Sequence, residues 1–226
     1  MCLTSGDNGK NALTEKTSSS LLPSIRLAEL EKACKALGAS LLPVQNFPDG
    51  KLLDAGTSSL ARVIKRFIAS QKPDILLTFG PDGLTGHPDH IATCLAATLA
   101  FEQVALPGSA LFYAGISRRT VEGLSNRLEG KLGDLTLKLV GLPDEEIQVI
   151  IDINQTACYK WEALACHRSQ AGSFAGLNHA DRQLLGAYEC FRLAQIAGKK
   201  ETAEPAFHRA TDLMFALTSE AEEVAA

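Results

Sequence analysis

The 226-residue chain lacks several features that would assign it to a class at once. It has no apolar run of about 18 residues, which a membrane-spanning helix needs. It also has no basic segment followed by an apolar stretch at its start, which a signal peptide needs. A net charge of −4 leaves no basic surface for nucleic acid. The six cysteines form no CxxC pair, which favours buried thiols in a reducing compartment. We therefore predict a cytoplasmic protein.

The common nucleotide-binding motifs are missing as well. The segment GDNGK at residues 6–10 is similar to a phosphate loop, but that loop needs four residues between its glycines and this segment has two. Asn11 also stands where the loop carries serine or threonine. No GxGxxG follows an apolar strand, which disfavours an NAD-binding site.

What the sequence does contain is an alternation of strands and helices. The segment TSSLARVIKRFIASQ has apolar residues at i, i+3, i+4, i+7 and i+8 and predicts a helix. DILLTFG follows it and is typical of a central parallel strand. Further helices are predicted over 24–37, ATCLAATLAFEQV and 118–128, and most of the chain from residue 155 onward is predicted to be helical. Further strands are predicted at MCLTS, ASLLPV, SALFYAGI, LTLKLV and IQVIIDI. In helix 24–37 the inner face is predicted to carry Leu27, Leu30, Cys34 and Leu37. This order predicts one α/β domain with a doubly wound, mostly parallel sheet.

The stretch GPDGLTGHPDHIA, residues 80–92, follows the predicted strand DILLTFG. Ligands of open α/β sheets bind beyond the carboxyl ends of the strands, so His87, Asp89 and His90 are predicted to face that crevice. Neutral imidazole is the commonest metal ligand, and a nearby aspartate can fix a histidine's tautomer. A polar turn with a capping aspartate explains the same residues without any chemistry. The spacing alone leaves both interpretations open.

The string GLTGHPDHIA resembles the second signature of the PIG-L/LmbE family of zinc-dependent N-acetylglucosaminyl deacetylases. Three other segments resemble family strings in the same order, over about residues 4–170. IRLAELEKACKALGAS matches an Arg-x-x-Glu helix with Arg26 and Glu29, and VQNFPDGKL matches a strand and turn with Asp49 and Gly50. ALACHRSQ matches a later string and supplies His167, Ser169 and Gln170. The family fold is Rossmann-like.

The resemblance implies roles for individual residues. His90 corresponds to a ligand of Zn²⁺, and His87 corresponds to the catalytic group that stabilises the oxyanion or protonates the amine, oriented by Asp89. Arg26 and Asp49 correspond to residues that bind sugar hydroxyls. The alternatives are a surface ion pair between Arg26 and Glu29 and a plain turn role for Asp49. For His167 and Gln170, a binding role and a buried histidine at a helix end both stay open.

One family segment has no counterpart in this sequence. Members of the family open with a strand that carries Ala-His-Pro-Asp-Asp-Glu, the source of two zinc ligands and the general base. The sequence therefore predicts an N-terminally incomplete deacetylase domain over residues 1–200, which lacks its first strand, and a helical tail over 201–226. It predicts weak zinc binding by the chain alone, because His90 cannot form a three-ligand site by itself. It also predicts poor solubility or non-specific association, because the neighbouring strand edges lose their partner.

The predicted activity is removal of an N-acetyl or other N-acyl group from a GlcNAc-containing small molecule or glycolipid by zinc-activated water. The rival hypothesis is a non-catalytic sugar- or glycolipid-binding relative with an incomplete zinc site. Neither nucleic acid nor a membrane span is expected, and the sequence is compatible with a homo-oligomer. The group attached to the sugar cannot be read from these motifs.

Overall fold

The computed structural model describes residues 1–8, 19–128, 139–173, 177–199 and 208–210. The helices are α1 (Leu22–Ala36), α2 (Leu52–Ala55), α3 (Thr57–Gln71), α4 (Gly83–Gly86), α5 (Pro88–Val104), α6 (Arg118–Leu128), α7 (Ala157–Cys166) and α8 (His179–Gly186). The strands are β1 (Ile75–Phe79), β2 (Ala110–Ser117), β3 (Gly141–Leu142), β4 (Val149–Asp152), β5 (Tyr188–Ile196) and β6 (His208–Ala210). Short 3₁₀ turns span Ser19–Leu21, Asp144–Glu146 and Arg168–Ser173.

The strands form one mixed sheet in the order β1-β2-β5-β4-β6, with β3 paired to β2. The pairs β1–β2, β2–β3 and β4–β6 are parallel, whereas β5 runs antiparallel to both β2 and β4. The predicted α/β class is confirmed. The helical prediction for the end of the chain is wrong for Tyr188–Ile196, which forms the central strand β5. Leu, Ala, Gln and Glu favour helices in isolation, but backbone pairing on both edges of β5 overrides that preference.

The main core lies between β2 and the pair α3 and α5. As its apolar spacing predicts, α3 buries one face, which carries Leu60, Ala61, Ile64 and Ile68. This face packs on small residues and Phe101 of α5. Along β2 the side chains alternate, so that Leu111 and Tyr113 join this core while Ala110 and Phe112 pack on the opposite face of the sheet. This packing fixes the position of α5 next to β1. The first turn of α5 comes after the loop that follows β1.

The inner face of α1 differs from the prediction. Leu27 and Leu37 are 42% and 55% exposed, whereas the buried residues of this helix are Leu22, Glu29 and Ala33. Leu30 and Cys34 are half-buried, so the prediction holds for two of its four residues. The most buried side of α1 also carries a carboxylate, whose hydrogen-bonding partner lies far away in the sequence. That partner belongs to the candidate site described below.

The first residues of the chain and the segment ASLLPV are not strands in the structure. An isolated parallel bridge pairs Thr4 with Phe47, three residues beyond ASLLPV, and the backbone over 39–46 has no regular structure. Within the described part of the chain, β1 forms an edge of the sheet rather than its centre, and its Leu77 is 49% exposed. In the predicted helical tail the described residues His208–Ala210 form strand β6. Most of the predicted strand LTLKLV lies outside the described residues.

Across the described residues, no helix is both long enough and apolar enough to cross a membrane.

Candidate active site

The motif GHPDH forms the entrance to α5. Gly83 has φ 66°, and a Cβ there would lie 2.9 Å from the Cγ1 atom of Ile91, so the turn needs glycine. His87 is the N-cap of α5, and its Nδ1 accepts a hydrogen bond of 3.1 Å from the backbone N–H of Asp89. Because Nδ1 accepts this bond, the proton of a neutral His87 ring lies on Nε2. His87 therefore caps the helix and offers an N–H donor from its other nitrogen.

His90 sits one turn further along α5 in a different environment. Its Nδ1 lies 2.9 Å from the carbonyl oxygen of Gly83, and its ring stacks on Phe79 with centroids 4.0 Å apart. A carbonyl oxygen can only accept, so Nδ1 donates and the lone pair of the neutral ring lies on Nε2. This is the usual orientation of a metal-binding histidine, whose second nitrogen donates to a backbone carbonyl. The centroids of the His87 and His90 rings are 4.9 Å apart. Nε2 of a neutral His87 is an N–H donor, whereas Nε2 of a neutral His90 carries a lone pair.

Burial lowers the pKa of His90 from its usual value, against a smaller opposing effect of the hydrogen bond to Gly83. The unfolded chain then binds this proton more readily than the folded one. The stabilisation linked to this group is complete above a pH of about 6.5 and is lost as the pH falls below that value.

His90→Phe keeps an aromatic ring against Phe79. We expect this variant to lose less unfolding free energy than the wild type when the pH is lowered from about 7.5 to about 5.5, that is, across the usual histidine pKa. Urea unfolding at the two pH values measures this difference. His179→Asn, a change at an exposed histidine of α8, is the matched control. Equal losses in the wild type and His90→Phe would mean that protonation of His90 does not contribute to the pH dependence of the unfolding free energy.

Asp89 has partners that the sequence did not predict. Its side chain is buried, and its two carboxylate oxygens accept hydrogen bonds from the backbone N–H groups of Gly50, at 2.7 Å, and Leu52, at 3.0 Å. Its contact with His87 runs through the Asp89 backbone N–H and not through the carboxylate. Through these contacts, the Asp89 carboxylate does not orient the His87 imidazole as the sequence led us to expect. In this structure Asp89 fastens the loop at residues 49–52 to the first turn of α5.

Arg26 and Asp49 lie together on the wall of the same cleft. Their side chains are 10% and 23% exposed, and Nη1 of Arg26 lies 3.9 Å from Oδ2 of Asp49. Arg26 also donates from Nη1 to the carbonyl oxygen of Gly6 at 2.5 Å. Asp49 accepts hydrogen bonds from Thr4 Oγ1 at 3.3 Å and from the Asn8 backbone N–H at 3.4 Å. A surface ion pair between Arg26 and Glu29 is not what these contacts provide, because Arg26 is 10% exposed and pairs with Asp49, whereas both carboxylate oxygens of Glu29 bind Ser169.

The contact between Glu29 and Ser169 was not predicted from the sequence. The Glu29 carboxylate accepts hydrogen bonds from the backbone N–H of Ser169, at 2.7 Å, and from its Oγ, at 2.6 Å. The similarity of both segments to family strings was the only signal, and it did not indicate that they touch. The contact joins α1 to the turn after α7, which carries His167 and Gln170.

The predicted site residues meet in one cleft of about 580 Å³. This volume is within the usual range for a small-molecule site. Phe79 places the cleft at the carboxyl end of β1, where an α/β sheet binds its ligands. The cleft is lined by Arg26, Asp49, His87, Asp89, His90, His167 and Gln170, together with residues 1–6 and four neighbours. The sheet and α1 therefore bring together side chains that are spread over more than half of the sequence.

The described residues do not form a complete zinc site. Among them, no group of three or more His, Cys, Asp or Glu side chains is placed to hold a metal ion. His90 fits one ligand position through Nε2, whereas the carboxylates of Asp89 and Asp49 already bind backbone donors. A catalytic zinc needs three protein ligands, so His90 accounts for only one of them. Weak zinc binding by this chain stays a prediction.

The fold and the cleft define an α/β protein with a histidine-bearing pocket at the carboxyl end of its parallel strands. Residues 1–101 match the profile of the family described as PIG-L: GlcNAc-PI de-N-acetylase. The first 101 residues of this chain are therefore similar to the PIG-L family, as the motifs predicted. The family is metal-dependent and typically uses zinc.

Named relatives agree with this assignment. A protein of Thermobifida fusca (strain YX), named 1D-myo-inositol 2-acetamido-2-deoxy-alpha-D-glucopyranoside deacetylase, is 28% identical over 201 residues. The match covers 74% of this chain and 70% of that protein. A Bacillus cereus protein, named probable N-acetyl-alpha-D-glucosaminyl L-malate deacetylase 2, is 27% identical over 172 residues, which cover 76% of this chain and 68% of that protein.

A solved structure supports the fold. The N,N'-diacetylchitobiose deacetylase of Pyrococcus horikoshii superposes with a TM-score of 0.55 at 20% identity, over 88% of this chain and 75% of that one. At this identity the likeness concerns the fold alone, so the chemistry of the chain has to be argued from its own cleft.

Proposed function

We propose that the protein is an amidohydrolase that removes the N-acetyl group from a GlcNAc-containing substrate. The observation that carries this proposal is the pair His87 and His90 at the carboxyl end of β1, in a domain whose named relatives are deacetylases of N-acetylglucosaminyl compounds. Their opposite ring tautomers supply one hydrogen-bond donor and one lone pair within the same cleft.

Hydrolysis of an acetamide makes two demands that His87 can meet. Water adds to the carbonyl carbon, negative charge develops on the carbonyl oxygen, and the C–N bond then breaks as the nitrogen gains a proton. The Nε2–H of a neutral His87 can stabilise the oxyanion by a hydrogen bond. The same nitrogen can supply the proton to the leaving amine when the ring is protonated, a state in which Nδ1 no longer accepts from the Asp89 N–H. The N-terminus of α5 adds a positive dipole end near the same ring.

We assign His90 as a Zn²⁺ ligand through Nε2, in agreement with the family's metal dependence and with the donation of its Nδ1 to Gly83. A bound zinc ion would supply an activated water in such a site. The remaining ligands are not assigned, because the described residues hold no group of three.

Arg26 and Asp49 are proposed to bind sugar hydroxyls in the same cleft. In the structure they are engaged with each other and with residues 4–8. Substrate hydroxyls could take the place of the groups of residues 4–8 that Arg26 and Asp49 now bind. The named relatives are deacetylases of N-acetylglucosamine linked to inositol or to malate, so the group attached to the sugar varies among them and is left open for this chain.

The rival function is sugar binding without catalysis. One observation favours it, namely the lack of a three-ligand metal group among the described residues. The two hypotheses differ in one measurable quantity, the release of acetate.

The deciding experiment incubates the purified protein with N-acetylglucosamine, GlcNAc-inositol and N,N'-diacetylchitobiose, with and without added Zn²⁺, and quantifies acetate and free amine. We expect acetate release that rises with added Zn²⁺ and that is lost in His87→Asn. If GlcNAc binds saturably by calorimetry while no acetate appears at any zinc concentration, the catalytic proposal is wrong and the binding function stands. The absence of both binding and turnover would contradict both hypotheses.

A further inference from the structure

The Glu29–Ser169 contact is a buried connection made by two hydrogen bonds, between α1 and the turn after α7. Glu29 is 7% exposed and Ser169 is completely buried. A carboxylate withdrawn from water is costly unless hydrogen bonds replace its hydration. Here both of its oxygens are satisfied by one residue, which donates through its backbone N–H and its hydroxyl. These contacts hold Ser169 in one orientation relative to α1.

The turn that carries Ser169 also carries two side chains of the cleft. Helix α7 ends at Cys166, and Gln170 donates its backbone N–H to the carbonyl oxygen of His167 at 2.9 Å. His167, two positions before Ser169, and Gln170, directly after it, line the cleft with His87 and His90. With Ser169 held in its buried position, His167 and Gln170 of the same turn face the cleft.

Helix α1 organises both walls of this cleft. Arg26 and Glu29 are three residues apart and share one side of the helix. Arg26 reaches Gly6 and Asp49, whereas Glu29 reaches the turn after α7. One rigid element thus fixes the loop at 4–8 and the turn at 167–170 relative to each other.

We propose that Glu29 and Ser169 form a clamp that positions His167 and Gln170 in the substrate cleft. Neither residue of the clamp touches the substrate, and both act through the turn. The effect on turnover rests on the deacetylase function proposed above, whereas the effect on the placement of the two side chains does not.

The geometry predicts a graded response to substitution. Glu29→Gln keeps both bonds, because the amide oxygen accepts from the Ser169 N–H and the amide NH₂ donates to a hydroxyl that now accepts. Glu29→Asp keeps the charge but shortens the arm by one methylene and displaces the turn. Glu29→Ala removes both acceptors. The exposed Glu102 of α5 provides the matched control, Glu102→Ala.

The test measures three quantities for each variant: kcat/KM for acetate release, the unfolding midpoint, and the NMR resonances of the His167 imidazole and the Gln170 side-chain amide. We expect Glu29→Ala to lower kcat/KM by on the order of 10²-fold, as a small misplacement of substrate-positioning groups can. Both resonances should shift in that variant. Glu29→Gln should recover most of the activity and the wild-type resonances, Glu29→Asp should fall between, and Glu102→Ala should match the wild type.

Two results would overturn the clamp. One is a lower unfolding midpoint for Glu29→Ala with unchanged kcat/KM in the folded protein, which is what a purely structural role predicts. The other is a pair of unchanged His167 and Gln170 resonances in the same variant. If the wild type releases no acetate, the deacetylase proposal fails by itself, and the resonances still decide whether Glu29 positions the turn.

Discussion

His87→Asn is expected to abolish most deacetylation while the protein stays folded. Asparagine is among the best N-cap residues, so its side-chain oxygen can replace Nδ1 as the acceptor for the Asp89 N–H. It cannot replace the Nε2–H donor on the other side of the imidazole. Loss of such an electrostatic stabiliser costs about 10²–10³ in kcat. Initial rates of acetate release, together with thermal unfolding of the same sample, measure the two effects separately.

His87→Ala removes the cap and the donor together. It should lose the same activity and also about 1 kcal/mol of stability through the missing cap. His179→Asn, at an exposed position of α8, controls for a general effect of replacing histidine. If His87→Asn retained wild-type turnover, the role assigned to His87 would be wrong and its place in the motif would be that of a helix cap.

Asp89→Asn is expected to destabilise the protein rather than act as a weaker version of the His87 change. An asparagine has one acceptor oxygen for the two backbone N–H groups of Gly50 and Leu52, and its NH₂ would face the second donor. Hydrogen bonds to charged groups contribute about 1.5–3 kcal/mol each, so we expect a loss of about 3 kcal/mol. For a chain of this size, that lowers the unfolding midpoint by about 6–12 °C.

Asp54→Asn is the matched control for this prediction, because Asp54 is an exposed carboxylate in the nearby helix α2. Calorimetry or urea unfolding of the two variants gives the comparison. An Asp89→Asn protein with wild-type stability and reduced turnover would support the interpretation from the sequence, in which Asp89 orients His87. It would contradict the loop-fastening role that its contacts indicate.

Local patterns predicted the parts of this protein that depend on neighbours in the sequence. The i, i+3, i+4 spacing from residue 57 to 71 predicted α3, and the apolar run before residue 80 predicted β1. The stretch after this run was predicted to follow a strand and to bring His87, Asp89 and His90 to its carboxyl end, and the structure has this arrangement. These features need only backbone preferences and short-range hydrogen bonds, which the local sequence encodes.

Contacts between distant residues were decided by the tertiary structure alone. Strand β5 takes its conformation from β2 and β4, so the helix-favouring composition of residues 188–196 was misleading. Glu29 is buried because Ser169, 140 positions away, satisfies its carboxylate, and Asp89 binds backbone groups 39 and 37 positions away. No periodicity in the chain carries that information. The sequence by itself determined which chemical groups stand at the end of β1, and only the packing of α1, α5 and α7 decided what each of those groups holds in place.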